Sequence, residues 1–112
     1  MTRQDAINEV TRRLVEFYKP DRIDLFGSAA RGDDRPDSDL DFLVAVPDGT
    51  PTEKLRGGGI YPSLMELDVA VDIVPWRRTD FEGRAAHVRA SLPATVVREG
   101  RIVYDAELAS FG

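Results

Sequence analysis

The chain is expected to fold as α/β (α+β): a small mixed β-sheet of about four strands, flanked by helices. Three observations predict this. Helix-like and strand-like stretches alternate from one end of the chain to the other, the pattern of a sheet covered by helices. The 112 residues suffice for one modest core and are too few for two, so a single domain spanning 1–112 is expected. Hydrophobic residues at 42% and charged residues at 31% are ordinary for a globular chain.

The elements follow in order. Residues 2 to 19 read as an amphipathic helix, because Ile7, Val10, Leu14 and Phe17 recur at three- and four-residue spacing. Thr2 and Asp5 form a cap at its start, and Pro20 ends it. Arg22 to Phe26 alternates like a short strand and runs into Gly27. Residues 28 to 32, SAARG, suit one helical turn closed by Gly32. Asp33 to Ser38 is turn chemistry throughout. Asp39 to Val46 is a strand by composition and length. A weak helix is expected within residues 51 to 66, interrupted by a flexible loop at Gly57-Gly58-Gly59. Asp68 to Val74 is a third strand. Thr79 to Glu82 repeats the capping-box pattern and opens a helix with Phe81, Ala85, Val88 and Leu92 on one face. Pro93 breaks or restarts that helix, and Arg101 to Tyr104 forms the last strand.

Composition narrows the function. The chain has no cysteine, which excludes disulfides, a cysteine metal site and a cysteine nucleophile. The opening MTRQDAINEV is polar and unlike a signal peptide, and the longest apolar run, Phe42 to Val46, is far short of a membrane span. No membrane association and a cytoplasmic location are expected. Fifteen basic residues against twenty acidic give a net charge of −5, which disfavours direct nucleic-acid binding and suits a basic protein partner. The pairs Arg12-Arg13 and Arg77-Arg78 read as solvated faces. His87, the lone histidine, reads as a surface residue, and Trp76 as a cap on the core.

The chemistry is concentrated in two places. On a strand, Asp39 and Asp41 share a face about 6.5–7 Å apart, while Leu40, Phe42, Val44 and Val46 take the opposite, core face. In the third strand Val69, Val71 and Ile73 are the core side. Asp72 shares the other face with Asp68, Ala70 and Val74, so it converges on the Asp39–Asp41 pair if the two strands are neighbours. Unit charges 4 Å apart repel by about 4 kcal/mol at an effective dielectric of 20, and no sequence-adjacent lysine stands ready to offset this. Magnesium does so naturally, since it takes a few carboxylate oxygens together with substrate phosphates. Ahead of the aspartates, Gly27 admits close backbone approach to a polyanion, and the amides opening a short helix favour it. Ser28 adds a hydroxyl donor, and Arg31 lies one turn on, within reach of a phosphate or an acidic group. A calcium loop over Asp37, Asp39 and Asp41 fails, because Phe42 stands where glycine is required. Neither a Walker-type nor a G-x-G-x-x-G motif is present.

Gly27-Ser28, ten intervening residues, Asp39-Leu40-Asp41 and, some thirty residues later, VDIV resemble the minimal nucleotidyltransferases of the DNA polymerase beta-like superfamily. FGSAARG, PDSDLDFLV and the closing REGRIVYD are similar to MntA-type antitoxins, which pair with HEPN ribonuclease toxins. The resemblance implies a nucleotidyltransferase fold. It implies Asp39, Asp41 and Asp72 as catalytic ligands of Mg2+ (two ions), with Asp72 near the incoming hydroxyl. Gly27 and Ser28 are implied as the triphosphate-binding pair, joined by Arg31 in the reading above. Asp68 is the rival for the third carboxylate. The implied activity is transfer of AMP from ATP to a tyrosine of the toxin, in a hetero-oligomeric complex with it. Two other functions remain open: neutralisation of the toxin by binding alone, and transfer to an aminoglycoside-like small molecule.

Overall fold

The computed structural model describes residues 2–32, 39–56 and 59–109. The turn expected over Asp33 to Ser38 and the first two glycines of the Gly57 run lie outside them. Along the described chain run α1 (Arg3–Tyr18), β1 (Arg22–Phe26), α2 (Ser28–Arg31), β2 (Leu40–Val46), α3 (Thr52–Leu55) and α4 (Tyr61–Met65). β3 (Val71–Arg77), α5 (Arg78–His87), α6 (Leu92–Glu99), β4 (Arg101–Asp105) and α7 (Ala106–Ala109) complete it.

The four strands lie in the order β3-β2-β1-β4. β1 is antiparallel to both β2 and β4, and β3 runs parallel to β2, so the sheet is mixed as expected. α1 begins with the reciprocal cap its sequence announces: Asp5 N–H donates to Thr2 Oγ1 at 3.0 Å, and Thr2 N–H donates to Asp5 Oδ2 at 3.1 Å. It stops where Lys19 turns left-handed, at φ 50°, just before Pro20. Its buried stripe is Ala6, Ile7, Val10, Leu14 and Tyr18. Tyr18, rather than the expected Phe17, enters the core at this last turn, and Phe17 packs at the margin.

The sheet is flanked by helices as expected, and both faces are covered, so β2 has a second core face beyond the one its alternation assigned. One face carries Ile23, Leu25, Leu40, Phe42, Val44 and Val46 against α1, Ile60 and Leu64. The other carries Leu43 and Ala45 against Phe81 of α5 and Val96 of α6, with Phe26, Trp76 and Leu92 alongside. Every residue of β2 except Asp41 is therefore buried. The unbroken run Phe42 to Val46 is the signature of such two-sided burial.

Several boundaries move. β3 starts three residues later than expected, because Asp68 is left-handed at φ 53° and its N–H reaches back to Met65 O, so the chain is still turning there. The strand then continues through Pro75 and Trp76, which an edge position tolerates in a proline. The single weak helix over 51 to 66 is two short ones. α5 does not begin on its own capping box. The N–H of Thr79 donates to Asp48 Oδ1 at 3.0 Å and its hydroxyl to the same carboxylate, so the loop after β2 supplies the cap. α5 also ends at His87 instead of running to Leu92. Ser91 then caps α6, its hydroxyl accepting from Ala94 N–H at 3.2 Å, with Pro93 in the first turn.

The two arginine pairs are not merely solvated. Arg13 joins α1 to α4 through Ser63 O and the Glu66 carboxylate, and Arg77 ties β3 to the loop carbonyls of Asp48 and Thr50. His87 is exposed, and Trp76 closes the second core, both as expected. Among the described residues, no helix is long and apolar enough to cross a membrane.

Candidate active site

Asp41, Leu43 and Ala45 alternate onto the second face, with Asp41 at the end where β1 finishes and β2 and β3 begin. Register decides what meets there. Phe26 of β1 pairs with Asp41 of β2, and Asp41 pairs with Asp72 of β3. In-register neighbours share a face, so Asp41 and Asp72 stand side by side at the strand spacing of about 4.8 Å. The sequence placed them together only on condition that the strands are adjacent, and they are.

Asp41 is half-buried, whereas Asp72 is exposed on the edge strand. Burial first, then the charges of Asp72 and Asp39, raise the Asp41 carboxyl above the usual range. Asp39 thus belongs to the same electrostatic neighbourhood, although it precedes β2 and is exposed. The next residue is anchored: Leu40 N–H donates to Ala70 O at 2.9 Å, holding the entry to β2 against the approach to β3. Asp68 lies on the turn before β3 and has no partner on β2, so register favours Asp72 over it.

Gly27 follows β1 directly at φ 74°, ψ −154°, a conformation essentially reserved for glycine. Ser28 opens α2 and Arg31 is its last residue, exposed, with Gly32 closing the turn at φ 78°. α2 is one turn long, so its dipole is small, and any hold on an anion there rests on local amides and the Ser28 hydroxyl.

The donor set is hard carboxylate oxygen, the kind magnesium takes, and that ion needs few protein ligands beside phosphate and water. In chemical kind the residues fit. The full gathering of three does not appear: among the described residues, no three acidic or histidine side chains come close enough to hold one ion. Asp39 lies outside the ladder that aligns the other two.

The sequence reading missed one feature on this face. Asp24 is 1% exposed and accepts two bonds from Arg22, Nε to Oδ1 at 2.6 Å and Nη2 to Oδ2 at 2.8 Å. The guanidinium sits 5.5 Å from the centre of the Phe81 ring. The alternation Arg22-x-Asp24 on one strand was the available signal, but burial of both faces was needed to give it meaning.

Known proteins share this architecture. A toxin–antitoxin structure with AMP-PNP is 21% identical, with a TM-score of 0.59 over 96% of this chain and 77% of that one. A MntA–HepT toxin–antitoxin structure is 20% identical, with a TM-score of 0.56 over 96% of this chain and 76% of that one. A structure described as a minimal nucleotidyltransferase is 29% identical, with a TM-score of 0.57 over 89% of this chain and 94% of that one. No curated protein matches the chain. The family model of the nucleotidyltransferase domain matches residues 7–103, from the middle of α1 through β4, and this chain belongs to that family.

Proposed function

We propose that this chain is an antitoxin that transfers AMP from ATP to a hydroxyl of its cognate toxin, a tyrosine of a HEPN-family ribonuclease. The observation that carries the reading is the in-register pair Asp41 and Asp72, set beside the Gly27–Ser28 turn at one open end of the sheet. Family membership supports nucleotidyl transfer as the reaction class. A neighbour with AMP-PNP, itself a toxin–antitoxin assembly, supports the choice of nucleotide and partner.

In this reading Gly27 and Ser28 hold the triphosphate, with Arg31 assisting, and Asp39, Asp41 and Asp72 hold Mg2+, two ions in all. When bound, the metal supplies charge neutralisation at the triphosphate and at the attacking and leaving oxygens. The chain's own residues contribute position. The Gly27–Ser28 turn orients the phosphates, the β2–β3 register sets the carboxylates, and Asp72, outermost on the edge strand, lies nearest the incoming hydroxyl. The acceptor hydroxyl gives up its proton to solvent, and its oxygen bonds to the α-phosphorus as the bond to pyrophosphate breaks. Catalysis of this kind is mostly positioning and electrostatics.

The test is mass. Incubated with the chain and Mg-ATP, the toxin gains one or more AMP increments, and Asp39→Asn or Asp41→Asn abolishes the gain while the chain stays folded. Normal transfer by either variant refutes the assignment. The net charge of −5 favours a second reading, occlusion of a basic toxin by an acidic surface. A toxin that is inhibited but unmodified would select it.

A further inference from the structure

Gly27 is shaped by more than its own backbone. A Cβ built on it would fall on Asp41 Oδ2 and lie 3.4 Å from Asp41 Cγ and 3.7 Å from Asp41 Cβ. The space a side chain at position 27 would fill is therefore already taken by the Asp41 carboxylate. On its opposite flank Asp41 has Asp72, whose like charge pushes it the other way. Only the bare Cα of Gly27 leaves room for the carboxylate to settle on the side away from Asp72.

We infer that Gly27 is a positioning residue for Asp41: it is the seat that sets where this carboxylate stands relative to Asp72, in addition to any contact with phosphate. The inference rests on the proposed function only in its metal readout, since the seat itself is a matter of packing. Two separate requirements thus call for glycine here. One is the backbone, at φ 74° and ψ −154°, and the other is the neighbouring carboxylate. They are separable by experiment, because the first persists when Asp41 is truncated and the second does not.

Crystal structures of the native chain and Gly27→Ala, both metal-free, read the seat directly. In the variant the Asp41 carboxylate is expected to rotate out of its native place. Mn2+ affinity without nucleotide, followed by electron paramagnetic resonance, is expected to fall about 10- to 100-fold, the usual effect of disturbing what orients a metal ligand. A carboxylate that stays in place, or unchanged Mn2+ affinity despite its displacement, overturns the inference. Should Gly27→Ala fail to fold, the double variant Gly27→Ala, Asp41→Ala decides. Recovered folding supports the seat, and continued failure assigns the whole effect to backbone strain and overturns it. If the native chain binds no Mn2+, the proposed function falls, while the position of the carboxylate in the two crystals still decides the role of Gly27.

Discussion

Replacing Arg22 by methionine leaves the Asp24 carboxylate, 1% exposed, without its partner. Stripping one member from a buried ion pair costs about 3–5 kcal/mol. Loss of the guanidinium over Phe81 adds about 0.5–1 kcal/mol. With 112 residues and about 2.1 cal/mol/K of unfolding entropy per residue, each kcal/mol moves the melting midpoint by about 4 °C. Arg22→Met should therefore melt about 15–25 °C below the native chain at pH 7. Asp24→Asn should cost much less, about 1–2 kcal/mol, because the Arg22 side chain is 28% exposed and can rehydrate. Thermal melts by circular dichroism at pH 7 measure both costs. If Asp24→Asn proves the more damaging change, the reasoning is wrong.

Asp41→Asn should stabilise the metal-free chain at pH 7.5 by about 1 kcal/mol, since a largely solvated repulsion across about 5 Å is removed. Because the folded Asp41 carboxyl lies above its unfolded range, the native penalty is absent in acid and complete at neutral pH; urea unfolding in EDTA should show the variant's advantage vanish near pH 3. Leu43→Ala, at a position with no exposure in the second core, should cost about 3 kcal/mol by the same assay, and a cost under about 1 kcal/mol would mean that α5 and α6 do not seal that face. The Tyr18 hydroxyl is buried without a hydrogen-bond partner among the described residues, and burial pushes its pKa up to about 12. Tyr18→Phe should accordingly be neutral or stabilising by up to about 1 kcal/mol in urea unfolding, and a clear loss would reveal a partner for the oxygen.

Much of this was legible in the residues. The α1 cap, the alternation of β1 and the turn at Gly27 are local, and local chemistry dictates them. Asp39, Asp41 and Asp72 could be singled out because carboxylates beside apolar strands call for an explanation. What failed was non-local. Thr79 finds its partner in Asp48, thirty-one residues earlier, so its own downstream residues gave a false start signal. Strand alternation assigned β2 one core face, yet α5 and α6 cover the other, and the unbroken run Phe42 to Val46 was the one local sign of it. The convergence of Asp41 with Asp72 likewise depended on a strand neighbour that only the fold supplies.

The second face of the sheet changes along β2 from hydrocarbon at Leu43 and Ala45 to carboxylate at Asp41, and this divides the labour of that face. Hydrocarbon on this face is concentrated around Leu43, Ala45, Phe81 and Val96, while Asp41 is half-buried and Asp72 exposed. Substitutions at Asp41 or Asp72 therefore disturb little packing, so the carboxylate end is free to diverge without the scaffold coming apart.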